Sequence, residues 1–188
     1  MPRRQSLVLA LLAVVCAAVL WSLYQWYQAR YIRPFSETTV LFDGAALRLP
    51  AELAGSGRIR VVHLWDPPCP CNVGNQQHLA ELLARFGDRV SFHVWQKPGS
   101  RGHLPDTLKA LQPLAELPGA EQLPASPAVA IWAADGTLAY VGPYSEGATC
   151  TSANSFIEPV LEALLAGRPV HSTGSLALGC YCSWTDAQ

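Results

Sequence analysis

The residues of this chain best suited to covalent chemistry are two thiols one position apart, Cys69 and Cys71, with Pro70 between them. A β-branched and apolar run, Val61-Val62-His63-Leu64-Trp65, precedes them and breaks at Pro67-Pro68. After them, residues 72–86 read as a helix, because Leu79, Leu82, Leu83 and Phe86 recur at i, i+3, i+4 and i+7. The cysteines therefore lie at a strand-to-helix junction. With Cys69 as N-cap and Pro70 at the first helical position, the thiol would face unpaired N–H groups and the positive end of the helix dipole. Such surroundings favour the thiolate and can lower a cysteine pKa to roughly 3.5–7.5. A thiolate attacks disulfides and also binds soft metals. The plain alternative is an inert buried pair or a structural disulfide, and prolines beside a helix start are poor surroundings for plain core packing.

Two elements must hold that junction, and the rest of the chain supplies the remaining layers. Residues 38–42 and 46–49 read as a hairpin around Asp43-Gly44, followed by a strand at 59–65. Residues 90–95 alternate as a strand, and 106–117 read as a helix that Pro113 should kink or shorten. Residues 128–133 and 137–141 flank Ala134-Asp135-Gly136 as a second hairpin. Residues 155–166 form a last helix, with Ser155 and Glu158 as a capping box and Gly167 as its stop. Strand–helix alternation predicts parallel central strands, and the hairpin adds antiparallel ones. The fold class is α/β, a mixed sheet flanked by helices.

The first 33 residues differ from the rest. Met1-Pro2-Arg3-Arg4 is basic, Ser6 to Leu23 carries no charge, and Trp21, Tyr24, Trp26, Tyr27 and Tyr31 make an aromatic belt. This reads as an uncleaved signal-anchor, since no small-x-small site follows the apolar run. Val15 before Cys16 argues against lipidation. The organisation is then an anchor at 1–33, one domain at 34–168 and a Cys-containing tail at 169–188 packed on the domain. Net charge is −1, from 13 basic and 14 acidic side chains, with no basic block, which excludes nucleic acid as a partner class. Beyond Cys16 there are Cys69, Cys71, Cys150, Cys180 and Cys182, and an anchor with these cysteines fits an oxidising exterior compartment.

These residues resemble a known family. Trp65, Cys69, Pro70 and the following helix resemble the active-site segment of the thioredoxin fold. Phe42-Asp43-Gly44 with Leu47-Arg48-Leu49 resembles the N-terminal hairpin of membrane-anchored TlpA- and ResA-type thiol–disulfide oxidoreductases. Ser126-Pro127 resembles the family's cis-proline loop, and Val141-Gly142 its other substrate-contact loop. The match covers roughly Thr38 to Gly167. The Cys-Pro-Cys variant also resembles a bacterial thioredoxin-like family whose function is not characterised. The resemblance implies substrate contacts at Trp65, Pro70, Ser126, Pro127 and Gly142. It also implies a proton-handling role near neutral pH for His63, six residues before Cys69, where thioredoxins hold a buried acid. A hydrogen-bonded core histidine is the alternative. His93, His103 and His171 carry no motif.

The departure is the spacing. Asn72 stands where the family has its second cysteine, and Cys71 comes one residue early. A Cys69–Cys71 disulfide would close a small, strained, easily reduced ring. Otherwise Cys69 works alone or resolves onto a distant cysteine. Cys150, which follows the Val141-Gly142 loop, is either stapled to Cys180 or Cys182, the reading preferred, or joins them in a relay to Cys69 or Cys71.

The leading expectation is a thiol–disulfide oxidoreductase acting on protein thiols and disulfides with Cys69, Cys71 and His63. It would be single-pass in a bacterial inner membrane, with its domain in the periplasm and no cofactor. Its upstream redox partner is unspecified. A Cu(I) chaperone using Cys69 and Cys71, with a histidine or tail thiolate, is the second class. A non-catalytic binding module on the same scaffold is the third.

Overall fold

The computed structural model describes residues 3–33, 42–145, 152–172, 174–175 and 179–184. In chain order the elements are α1 (Arg3–Tyr31), β1 (Ile32–Arg33), β2 (Phe42–Asp43), β3 (Ile59–Trp65), α2 (Asn72–Phe86), β4 (Val90–Gln96), β5 (Gln112–Pro113) and β6 (Ala125–Ser126). They continue as β7 (Ala128–Trp132), β8 (Leu138–Gly142), α3 (Ile157–Leu165), β9 (Gly174–Ser175), β10 (Gly179–Cys180) and β11 (Cys182–Ser183).

A five-stranded sheet in the order β5-β4-β3-β7-β8 is the scaffold. β3 is its centre, parallel to β4 and antiparallel to β7. All seven β3 residues are buried, as a strand covered on both faces requires. Side-chain alternation then splits the core in two. Ile59, Val61 and Trp65 meet Leu79, Leu82 and Phe86 of α2 and Ile157 and Leu161 of α3. Val62 and Leu64 face the opposite layer, with Phe42, Leu47, Trp95, Trp132 and Tyr181. Each fully buried aliphatic side chain contributes about 1.5–3 kcal/mol relative to exposure. β3, which carries the site on its C-terminal end, is thus the best-supported element.

The sheet is mixed and flanked by helices, as expected, with a parallel β3-α2-β4 unit and an antiparallel β7–β8 pair. Three elements differ from expectation. Residues 46–49 are not a strand, and 38–41 lie outside the described residues. Asp43 Oδ1 accepts the Ala45 N–H at 2.8 Å, and the Arg48 N–H bonds Pro118 O at 3.0 Å. The chain there turns inward and buries Leu47, while β2 pairs with β9 from beyond α3. No β-hairpin forms in that region among the described residues.

Residues 106–117 are not a helix either. One short 3-10 turn, Asp106–Leu108, is followed by β5, whose Pro113 lies beside Val94 at the sheet edge. Leu108, Leu111 and Leu117 are buried all the same, so the apolar spacing served a turn and an edge strand.

The last helix begins at Ile157 rather than Ser155. Ser155 Oγ still accepts the Ile157 and Glu158 N–H groups, at 3.1 and 3.4 Å. Glu158 turns outward to Arg85 instead of closing the capping box, with an N···O distance of 3.1 Å.

At the N-terminus, Leu7–Ala29 of α1 is long and apolar enough to cross a membrane, with mean hydropathy 2.6.

Candidate active site

The Cys-Pro-Cys segment is built from two consecutive turns, not from a helix start at Cys69. The Cys69 N–H donates to Asp66 O at 3.0 Å, and the Asn72 N–H donates to Cys69 O at 3.1 Å. Pro70 falls at the second position of the latter turn, where its fixed φ is well suited. Helix α2 therefore starts at Asn72, with Cys71 rather than Cys69 in the cap position. The Asn72 amide anchors the turns by donating to Asp66 O at 2.7 Å and Pro67 O at 3.3 Å. The Asn75 amide likewise donates to Cys71 O at 2.7 Å.

The turns bring Cys69 against the loop before β7. Its Sγ lies 3.6 Å from Ser126 O, and the Ser126–Pro127 peptide bond is cis. Cys69 is bonded to Cys182, 113 residues away, with 5.9 Å between the Cα atoms. This overturns two expectations: the small Cys69–Cys71 ring and the stapling of Cys182 to Cys150. Cys71 is disulfide-bonded as well. The side chains of Cys150 and Cys180 lie outside the described residues, and among the described cysteines only Cys16 is free.

Strand β11 brings Cys182 to this place. It pairs antiparallel with β6, with Cys182 opposite Ser126 and Ser183 opposite Ala125. Tyr181, fully buried against Phe42, fixes the tail on one side. Trp184 fixes it on the other: its backbone N–H reaches Pro124 O and its indole N–H reaches Ser126 Oγ, both at 2.9 Å.

On β3, His63 is wholly buried, with its Nδ1 sharing a 2.8 Å hydrogen bond with the Tyr144 hydroxyl. Its ring stacks beside Trp65 at 6.2 Å, and its Nε2 has no hydrogen-bond partner among the described residues. Burial pushes its pKa down from 6.5 to about 3. The ring is therefore neutral near pH 7 and too weak a base for the proton transfer that the resemblance implied there.

This environment has a measurable consequence. Above pH 6.5 the imidazole is neutral in folded and unfolded chains alike. Below that, the unfolded chain takes a proton that the folded chain refuses until about pH 3. Stability should fall with pH through that window, by up to about 1.4 kcal/mol per unit from this residue. Urea unfolding between about pH 4.5 and 7 should show the slope flattened by His63→Gln. Equal slopes in the two proteins would refute the assignment.

Of the other expected substrate contacts, Ser126 and Pro127 border the bond, and Pro70 is exposed on its rim. Gly142 is buried at the end of β8, opposite Val129. Trp65 is 4 % exposed and packed in the α2 core, which makes it a support under the site and not a contact surface. The sequence did not single out Tyr144, Asn75, His78 or Trp184, and it marked Asn72 only as the occupant of the second cysteine slot. A signal existed for three of them: Asn72, Asn75 and His78 are buried polar residues on the first turns of α2, and the helix's apolar stripe begins only at Leu79. His78 Nε2 pairs with Ser155 Oγ at 2.8 Å.

The Sγ atoms of Cys69, Cys71 and Cys182 all lie within 4.8 Å of one another. Oxidised, they offer no thiolate to a metal. Reduced, they would be three soft donors in one place.

The family model for a domain of unknown function (DUF6436) matches residues 38–184. The chain belongs to the DUF6436 family. The DUF6436 match takes in the tail through Trp184, which the resemblance had left outside. No curated protein matches the chain. Among solved structures, the DUF6436 chain is similar to an uncharacterised conserved protein from Geobacillus kaustophilus, at 20% identity and TM-score 0.53, covering 84% of this chain and 97% of that one. It is also similar to a hypothetical protein from Sinorhizobium meliloti 1021, at 16% identity and TM-score 0.52, covering 82% and 96%. A thioredoxin-like protein in its oxidised form is similar at 15% identity and TM-score 0.45, covering 74% and 97%. The first two likenesses speak for the fold alone, and chemistry has to be argued from the DUF6436 residues themselves.

Proposed function

We propose that this protein is a thiol–disulfide oxidoreductase of the bacterial envelope, held to the inner membrane by α1 with its domain in the periplasm. Its substrates are protein thiols and disulfides. The observation that carries this reading is the Cys69–Cys182 disulfide, seated against the cis Ser126–Pro127 loop at the C-terminal end of β3.

In the reducing direction, a dithiol reductant first opens the bond, leaving two protein thiols and an oxidised reductant. Cys69 thiolate then attacks a substrate disulfide, forming a mixed disulfide and expelling one substrate thiolate. Cys182 thiolate attacks the Cys69 sulfur, releases the second substrate thiolate and restores the Cys69–Cys182 bond. The oxidising direction runs the same exchanges backward. His63 and Tyr144 hold the floor of the site rather than move a proton.

Thiol alkylation and mass spectrometry of the full chain in detergent, across graded glutathione buffers, tests the reading. Cys69 and Cys182 should open and close together, reversibly, as the buffer changes. A pair that never exchanges with glutathione would sink it.

The three clustered sulfurs support a second reading, binding of Cu(I) after reduction, because thiolates favour that soft ion. Repeating the titration with Cu(I) separates the two. Shielding of Cys69, Cys71 and Cys182 by the metal, without any exchange, would put a copper carrier in place of the oxidoreductase.

A further inference from the structure

The tail occupies the site in the manner of a bound strand, and its contacts describe what else fits there. Three features define the seat. The backbone edge at 124–126 receives the tail through the Cys182–Ser126 pairing and the Trp184 N–H to Pro124 O bond. Ser126, with none of its surface exposed, has its Oγ satisfied by the Trp184 indole N–H at 2.9 Å. The indole lies against Trp95, ring centroids 5.9 Å apart, with Lys97 Nζ 5.5 Å from the ring centre. Lys97 is held there from its other side by Asp66, at 3.4 Å.

A hydroxyl acceptor, an aromatic wall and a cation over the ring together suit an indole. That seat lies two residues beyond the sulfur bonded to Cys69. We propose that it is a specificity subsite for substrates carrying an aromatic residue, tryptophan above all, two positions after the exchanging cysteine in an extended segment. The chain's own Cys182-Ser183-Trp184 is its resident occupant. This inference rests on the oxidoreductase reading and names the substrate class of that site.

Substrate and tail exclude one another. After a dithiol reductant opens Cys69–Cys182, the tail must lift before a substrate strand can pair with 125–126. When Cys182 attacks the mixed disulfide at Cys69, the returning tail reclaims both the backbone edge and the indole seat. The new sulfur–sulfur bond forms as the substrate thiolate leaves and its strand is displaced. Resolution and release are then one event.

The test uses the full-length Cys182→Ser, Trp184→Ala variant in detergent, which keeps Cys69 and empties the seat. Three ten-residue peptides are supplied as glutathione mixed disulfides, with Cys-Ser-Trp, Cys-Ser-Phe or Cys-Ser-Ala at the same place. Peptide-linked Cys69 is followed by mass spectrometry. The tryptophan peptide should react roughly tenfold faster. Adding Ser126→Ala to the variant should erase its advantage over a Cys-Ser-Phe peptide. Cys182→Ser alone, a milder change, should react more slowly but keep the same preference. Rates within twofold for tryptophan and alanine peptides would overturn the subsite, as would exchange with glutathione disulfide but with none of the peptides. Failure even with glutathione disulfide would overturn the oxidoreductase reading beneath it.

Discussion

Cys182→Ser should convert the protein from one that turns over into one that stalls. Cys69 in this variant still attacks a disulfide, but its resolving thiol is gone, and the nearby Cys71 sulfur is held in a disulfide of its own. Mixed disulfide on Cys69 should accumulate in the first turnover, and steady-state reduction of a model disulfide should fall roughly a hundredfold or more. Cys71→Ser should keep the Cys69–Cys182 exchange, since Cys69 pairs with the tail and not with its neighbour. The bond also spans 113 residues, so its loss removes a crosslink as well as a reagent. In the chain-entropy account such a loop is worth about 5 kcal/mol at most. The comparison that isolates chemistry is therefore Cys182→Ser against the double variant Cys69→Ser, Cys182→Ser. Both lack the crosslink and should unfold at similar urea concentrations, yet only the first should trap substrate. Undiminished turnover in Cys182→Ser would remove Cys182 from the mechanism.

Tyr181→Ala should be the most damaging single change in the tail. The side chain is wholly buried, edge-on to Phe42 at 6.0 Å, in the layer that also holds Leu47, Leu64 and Trp132. Truncation of a buried aromatic of this size costs about 3–5 kcal/mol. Urea unfolding should register that loss, and Tyr181→Phe should recover most of it. There is a second readout. Docking of Tyr181 holds Cys182 beside Cys69, so it sets the effective concentration of one thiol at the other. In the reduced Tyr181→Ala protein, Cys182 should be alkylated faster, and the Cys69–Cys182 bond should open in a less reducing buffer. A loss under about 1 kcal/mol would mean that the core closes over the gap or that the tail is only loosely held.

The parts of this molecule that sequence reveals are those with local causes. The Leu79-Leu82-Phe86 stripe predicts α2, and the run at 59–65 predicts a buried strand, because each pattern follows from the geometry of its own element. The turn chemistry of Ala134-Asp135-Gly136 predicts the β7–β8 hairpin for the same reason. What escapes has its cause far along the chain. Phe42-Asp43 pairs with Gly174-Ser175 instead of with the nearby residues 46–49, and nothing in either pair advertises the other. Leu108, Leu111 and Leu114 fit a helical face, but equally fit a turn leading into an edge strand that Pro113 can occupy. Cys69 and Cys182 could be recognised as reactive types, while their pairing depends on a tail register fixed by Tyr181 and Trp184. The burial that sets the titration of His63 likewise comes from the covering layer, which the strand pattern alone does not describe.

The short β1–β10 pairing limits where this chemistry takes place. α1 ends at Tyr31, and the next two residues pair directly with the tail, Ile32 opposite Cys180 and Arg33 opposite Gly179. Cys182 lies only two residues further on, about 7 Å along an extended chain. Because the β1–β10 pairing is antiparallel, the tail runs back toward α1, so with α1 embedded as proposed the reactive sulfurs stand close to the lipid boundary. Such a short stand-off selects clients by reach before it selects them by fit. Disulfides carried far above the bilayer would pass out of range, while those near the surface would be met by lateral diffusion in two dimensions.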